Sequence, residues 1–144
     1  RNRDLLIFEK EMGEVCDNLY ICTDDGSKGV KGFVTDMIDK IMLDGNTYDQ
    51  AVAIGPMVMM KFTTLTMKKY NVPLTVSLNT IMVDGTGMCG ACRVTVGGKT
   101  RFACVEGPEF DAYQVDFDEA MRRQSMYREF EIEADHKCKL GLHE

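Results

Sequence analysis

The chain has 144 residues, 44% hydrophobic and 28% charged, which is the length of one ordinary domain or two small ones with a soluble, globular composition. A net charge of −6, with no basic cluster beyond Lys68-Lys69 and Arg122-Arg123, argues against nucleic acid as a main partner. No apolar run approaches the roughly 20 residues that span a bilayer, so no membrane role is expected; no secretory signal is visible, and six cysteines in a cytoplasmic setting point to metal binding sooner than to disulfides.

The chain opens on Arg1-Asn2-Arg3 without a methionine and enters directly into a helical pattern, which suggests a fragment lacking an N-terminal part. Apolar residues at 5, 8, 12 and 15 or 16 predict a helix over 4–16 with Asp4 as N-cap. Leu19 to Thr23 reads as a short strand ending in the turn cluster Thr23-Asp24-Asp25-Gly26-Ser27. A second helix is predicted over 32–43, closed by Asp44-Gly45-Asn46. Ala51 to Ile54 is an uninterrupted apolar strand of the kind buried on both faces. Gly55-Pro56 follows, and a helix begins at Met57 and runs to Tyr70; proline suits the first helical position, where its missing N–H has no partner to lose. Val72 to Leu78 is another strand.

This alternation predicts an α/β fold, half of a doubly wound parallel sheet. Ligands in such sheets sit beyond the C-terminal strand ends, where Thr23–Ser27 and Gly55-Pro56-Met57 fall. Asp24 or Asp25 could accept from a ribose hydroxyl. Gly55 would let a pyrophosphate or nicotinamide approach the backbone near a helix N-terminus that favours anions. The alternative is that both are ordinary turns, and the fingerprint G-x-G-x-x-G is absent.

The densest chemistry lies in residues 84–104. Asp84-Gly-Thr-Gly-Met-Cys89-Gly-Ala-Cys92 is followed by Arg93 to Cys104, two strands around a Gly97-Gly98 turn. A plant-type [2Fe–2S] site uses C-x4-C-x2-C and a later fourth cysteine; Asp84, Cys89, Cys92 and Cys104 match it with aspartate in the first place. Soft thiolates suit iron, and a carboxylate is an anionic, short substitute. Glycines at 85, 87 and 90 let the loop wrap closely. A zinc knuckle would want a second C-x2-C or paired histidines, and a thioredoxin-like pair would open a helix rather than precede a strand; zinc and a plain dithiol remain the alternatives. Beyond the motif, 105–117 reads as an irregular lid, 118–130 as an amphipathic helix whose acidic first turn and basic end suit its dipole, and 131–139 as a polar tail. His136 and Cys138 are too few to enclose a metal. Cys16 and Cys22 read as buried thiols, and the 11 methionines as fillers of core gaps. Nothing is drawn from Gly141 to Glu144.

Thr23–Ser27, Lys31-Gly-Phe-Val-Thr35, Ala53-Ile-Gly-Pro56 with Met59-Met60-Lys61, Val83 to Val96, and Phe102 to Phe110 stand in one order. Together, from about residue 3 to 130, they closely resemble the C-terminal part of a ferredoxin-reductase-like family of small subunits. These are the small subunit of NADH-dependent ferredoxin:NADP oxidoreductase, or sulfide dehydrogenase β subunit; sulfhydrogenase γ subunits and the electron-transfer subunit of dihydroorotate dehydrogenase are similar. The resemblance implies an FAD-binding barrel, an NAD(P)-binding domain and a [2Fe–2S] segment in succession. Here it implies the C-terminal part of the NAD(P)-binding domain over 1–80, the cluster segment over 81–117, and a helix and tail over 118–144. The barrel is absent, so FAD would be bound mainly by a part outside this chain, and the fragment alone would be inactive. The resemblance places the cluster on Asp84, Cys89, Cys92 and Cys104, the nicotinamide against Gly55, Pro56 and Met57, and the adenosine ribose against Thr23, Asp24, Asp25, Gly26 and Ser27. No catalytic side chain is expected. Asp84 favours the ferredoxin–NADP oxidoreductase branch over the dihydroorotate dehydrogenase branch, and the acidic turn favours NAD(H) over NADP(H). The expected partners are a large iron–sulfur flavoprotein subunit and ferredoxin. An exposed sheet edge suggests pairing with another chain, including a homodimer of the fragment. The competing class is a non-enzymatic, zinc-binding interaction module.

Overall fold

The computed structural model describes residues 1–140, and Gly141 to Glu144 lie outside the described residues. The chain divides into two compact units, one of residues 1–51 and 62–73, the other of residues 52–61 and 74 onward.

In the first unit a 3₁₀ turn at Arg3–Leu5 precedes helix α1, Glu9–Val15. The helix therefore starts later than expected, and Asp4 does not cap it: Phe8, at φ 56°, occupies that place. No α1 residue is buried. Phe8, Met12 and Val15 have helical spacing but lie exposed, because periodicity reports a face and not what covers it. The strand expected over 19–23 shortens to β1, Cys22–Thr23, which pairs in parallel with β2, Val30–Lys31. Helix α2, Val34–Leu43, is entered through Asp36, whose carboxylate accepts the Phe33 N–H at 2.9 Å. Met37, Met67 and Val72 are its unit's buried apolar residues, beside Thr23. Asp39 fastens the two chain segments of this unit, accepting from the Tyr70 hydroxyl at 2.7 Å and from Lys69 at 3.5 Å. Cys16 and Cys22 are half-buried rather than buried; partial burial, then Asp36, pushes the Cys22 thiol up.

The second unit carries a three-stranded sheet in the order β3 (Ala51–Ile54), β4 (Leu74–Ser77), β7 (Glu109–Asp111). The last pair is antiparallel, with Val76 opposite Phe110. β3 does not meet the expectation of burial on both faces. Ala53 is covered, whereas Val52 and Ile54 are 60% and 71% exposed, the result of alternate side chains pointing to opposite faces when only one is packed. Helix α3, Met57–Lys69, follows, its residues up to Lys61 belonging to this unit and the rest to the first. Met57, Met60, Leu74, Val76 and Leu78 form the core beside it.

Between β4 and β7 lies the antiparallel hairpin β5 (Arg93–Val96) and β6 (Lys99–Phe102), continued by the single turn α4, Ala103–Glu106. The segment expected to be an irregular lid is thus a built edge. It contains α4, β7 and a 3₁₀ turn at Ala112–Gln114 capped by Asp111, and it returns to the hairpin through Gly97 N–H to Gln114 O and Asp116 N–H to Thr95 O. Asp116 then caps helix α5, Phe117–Gln124, accepting the Glu119 N–H at 2.9 Å. Phe117 and Ala120 are buried, and Asp118 pairs with Lys61 at 2.7 Å. A 3₁₀ turn, Ser125–Tyr127, separates α5 from α6, Arg128–Lys139. The expected polar tail is therefore helical. It buries nothing, but Glu133–Lys137 and Asp135–Lys139 are ion-paired one turn apart, a spacing that supports an exposed helix. The fold is α/β, with small sheets and a C-terminal helix. Among the described residues no helix is long and apolar enough to cross a membrane.

Candidate metal centre and nucleotide loops

β5 and β6 run in continuous register from Arg93 opposite Phe102 to Val96 opposite Lys99. Gly97 and Gly98 turn between them with φ of 59° and 72°, the left-handed pair that a two-residue hairpin turn demands. At the open end, Ala103 N–H donates to Cys92 O at 3.2 Å. That bond seats Cys104 beside Cys92, with their Sγ atoms 3.2 Å apart in a thiol hydrogen bond. Both are free thiols.

The environment of this pair separates its two protons. Burial pushes the Cys92 thiol up, but the N–H and the thiol of Cys104, with the N–H groups of Cys92 and Ala103, favour its thiolate and bring it below the usual thiol value. Cys104 moves up, first because its thiol is engaged with Cys92. The Gly87 N–H, reaching Cys104 from the loop, opposes that shift. One proton shared between two touching sulfurs favours a thiolate at this pair, the form that binds metal.

The other two expected donors lie on the loop. Cys89 is exposed, with the Ala91 N–H 3.5 Å from its sulfur. Asp84 is exposed and accepts from the hydroxyl and N–H of Thr86. The Thr86 hydroxyl, then its N–H, then the Met88 N–H hold the Asp84 carboxyl below the usual range. The structure thus brings Cys92 and Cys104 together and leaves Cys89 and Asp84 apart from them. Among the described residues no three His, Cys, Asp or Glu side chains form a group ready to hold a metal ion.

The residues nonetheless suit an iron–sulfur cluster in donor chemistry. Three thiols and a carboxylate are all anionic donors once deprotonated. N–H groups already address the sulfurs of Cys89, Cys92 and Cys104. Gly87 has φ 84°, and a Cβ there would come within 3.2 Å of Val105; the loop approaches the Cys104 turn as closely as only glycine allows.

Gly55-Pro56-Met57 belongs to this same unit. Pro56 O accepts the Met60 N–H at 3.0 Å, opening α3, and a Cβ at Gly55 would meet the Met59 side chain. Met57 is buried and lines a cavity of about 70 Å³ with Thr80, Val83, Ala91, Arg123 and Tyr127. The Thr80 hydroxyl is buried and without a hydrogen-bond partner. The candidate nicotinamide loop and the cysteine loop therefore share one wall.

Thr23–Ser27, in the first unit, is organised by its own side chains. Thr23 is 1% exposed, and its hydroxyl donates to Lys28 O at 2.8 Å while accepting the Lys28 N–H. Asp25 accepts from the Ser27 hydroxyl and N–H, which hold its carboxyl below the usual range, the hydroxyl foremost. Thr23 builds the turn, and Asp24 and Asp25 are the exposed acidic groups on it.

Three residues at the cysteine loop escaped the sequence reading. Arg93 donates to Gly90 O at 3.1 Å, Arg123 to Ala91 O at 3.2 Å, and Gln124 to Asn79 O at 3.1 Å. The available signal was Arg122-Arg123 closing a helix, which reads equally well as dipole compensation.

Residues 79–116 match the family described as the iron–sulfur cluster binding domain of dihydroorotate dehydrogenase B. The chain is 55% identical over 142 residues to an uncharacterized protein of Clostridium beijerinckii, covering 98% of this chain and 48% of that one. It is 54% identical over 131 residues to a Thermotoga maritima homologue of the dihydroorotate dehydrogenase B (NAD(+)) electron transfer subunit, covering 91% and 46%. A solved structure of an NADH-dependent reduced ferredoxin-NADP oxidoreductase superposes with a TM-score of 0.84 at 50% identity, covering 95% of this chain and 49% of that one. The chain spans about half the length of the relatives it matches.

Proposed function

We propose that this chain, whose residues 79–116 belong to the iron–sulfur cluster binding domain family of dihydroorotate dehydrogenase B, is part of the electron-transfer subunit of an NAD(P)H-dependent flavoprotein oxidoreductase. Asp84, Cys89, Cys92 and Cys104 hold a [2Fe–2S] cluster on the segment 81–117. When bound, that group supplies one-electron transfer, at a potential set by ligand type, hydrogen bonds to sulfur and exposure. Cys92 and Cys104 hold the buried side of the site, fixed by the hairpin. Asp84 and Cys89 complete it from the glycine loop.

Gly55, Pro56 and Met57 receive the nicotinamide, on the wall shared with the cysteine loop. Thr23 shapes the turn through its bonds to Lys28, and Asp24, Asp25, Gly26 and Ser27 on it supply the ribose side, where two carboxylates repel a 2′-phosphate and favour NAD(H) over NADP(H). FAD is bound mainly by a part of the protein outside this chain. The partners are a larger flavoprotein subunit with iron–sulfur centres, and ferredoxin; the bare face of β3 also suits a homodimer of the fragment. The setting is cytoplasmic.

The observation that carries this reading is the Cys92–Cys104 contact at 3.2 Å with Gly87 N–H directed at the same sulfur. It is tested by metal analysis of anaerobically purified protein. About two irons and two acid-labile sulfides per chain are expected; one zinc and no sulfide would replace the reading with the zinc-binding interaction module. The ferredoxin–NADP oxidoreductase branch is supported by the solved structure at 50% identity; the dihydroorotate dehydrogenase branch, which the name of the Thermotoga maritima relative suggests, is the alternative, and the identity of the large subunit that copurifies separates the two.

Asp84 is the distinguishing ligand. Asp84→Cys is expected to retain the cluster and to change its midpoint potential, because a softer donor replaces an oxygen that also binds Thr86. A redox-titrated spectrum with an unaltered midpoint would remove Asp84 from the ligand set.

A further inference from the structure

We propose that Arg123 and Gln124, at the end of α5, form a clasp that closes the cysteine loop and positions Cys92, an inference that rests on that loop being the cluster site. Gln124 Nε2 donates to Asn79 O at 3.1 Å and Arg123 Nη2 to Ala91 O at 3.2 Å. These two carbonyls bracket the segment that contains Asp84 and Cys89, and Ala91 immediately precedes Cys92. No helix or strand covers residues 78–92. The segment therefore has no ladder of its own to hold its ends at a fixed separation, and pinning both ends removes part of the entropy that opposes closure.

The helix bearing the clasp is anchored independently. Asp116 caps its start, Phe117 and Ala120 are buried, and Asp118 pairs with Lys61. Neighbouring side chains on so fixed an element can hold two distant carbonyls in a set relation, as supporting residues behind metal ligands do. Arg123 adds a second effect. Its guanidinium is half-buried beside Ala91, and Arg93 sits on the adjacent carbonyl of Gly90 at 3.1 Å. Two cations thus flank the turn between Cys89 and Cys92. Positive charge there favours the more negative, reduced state of any group the loop holds.

The test uses the whole chain carrying Arg123→Gln, Arg123→Lys or Gln124→Ala. In metal-free protein, amide exchange over residues 80–91 is expected to quicken in R123Q and Q124A, with the core amides of β4 unchanged. In reconstituted protein, chelator-driven loss of the visible absorption should be about 10–100-fold faster in R123Q, the usual cost of losing a supporting contact. R123K, keeping the charge and one donor, should recover part of it, and R123Q should lower the midpoint potential. Wild-type exchange and wild-type cluster loss in both R123Q and Q124A would overturn the clasp. Should the wild type take up no iron and sulfide, the cluster reading fails separately, and exchange in the metal-free chain alone decides whether α5 holds the loop. If R123Q does not fold, Q124A carries the same comparison.

Discussion

Cys92→Ser is expected to abolish cluster assembly while leaving the protein folded. The substitution exchanges one atom and suits the space, and the hydroxyl takes over the hydrogen-bond partners of the thiol, so the fold should survive it. The chemistry is not conserved. A serine hydroxyl stays protonated where a thiol can ionise, and oxygen is a harder donor than sulfur. Of the proposed ligands, Cys92 also has the least freedom to be replaced by another group. It is 2% exposed, its carbonyl is bonded to Ala103 N–H, and its sulfur touches Cys104. Iron and sulfide should therefore fall to background in reconstituted C92S, with an unchanged far-ultraviolet spectrum. Cys138→Ser, on the exposed face of α6, should leave both contents at the wild-type level. Retention of sulfide in C92S would remove Cys92 from the ligand set.

Met60→Ala is expected to cost the protein a large part of its stability. Met60 is 0% exposed, on α3 one turn beyond the Gly55-Pro56 loop. Truncating a fully buried methionine removes its transfer energy and leaves a cavity, together about 2–5 kcal/mol. Against a total of roughly 5–15 kcal/mol for an ordinary domain, that is a large share. In urea the midpoint should drop with little change in slope. Val58→Ala, at a position 51% exposed on the same helix, should cost far less. Equal losses from the two would mean that Met60 does not fill the core as described.

The parts of the structure that were legible in the sequence are those with local causes. The Gly97-Gly98 turn between alternating residues defines the β5–β6 hairpin, because the turn needs two left-handed residues. The hairpin length then returns Cys104 to Cys92. Pro56 marks the start of α3 for an equally local reason. What was illegible depended on distant partners. The clasp joins residues 32 and 45 positions apart in sequence, and no periodicity announces such a bond. The lateness of α1 and the bare face of β3 follow from what does or does not cover a segment, whereas α6, which buries nothing, is supported by ion pairs one turn apart. A pattern of apolar residues prescribes the stripe and not its neighbour. Thr23 shows a third limit: a hydroxyl in a turn looks available for a ligand until burial shows it bonded to Lys28.

The loop and hairpin of residues 84–104 carry, on the proposed reading, a one-electron centre on three sulfurs and one oxygen. A redox titration of anaerobically prepared protein, followed by electron paramagnetic resonance, tests this most directly. The expected result is a signal that appears on reduction, integrates to about one spin per chain as a [2Fe–2S] centre requires, and is missing from C92S. A spectrum that stays silent across the titration, in protein supplied anaerobically with iron and sulfide, would contradict it.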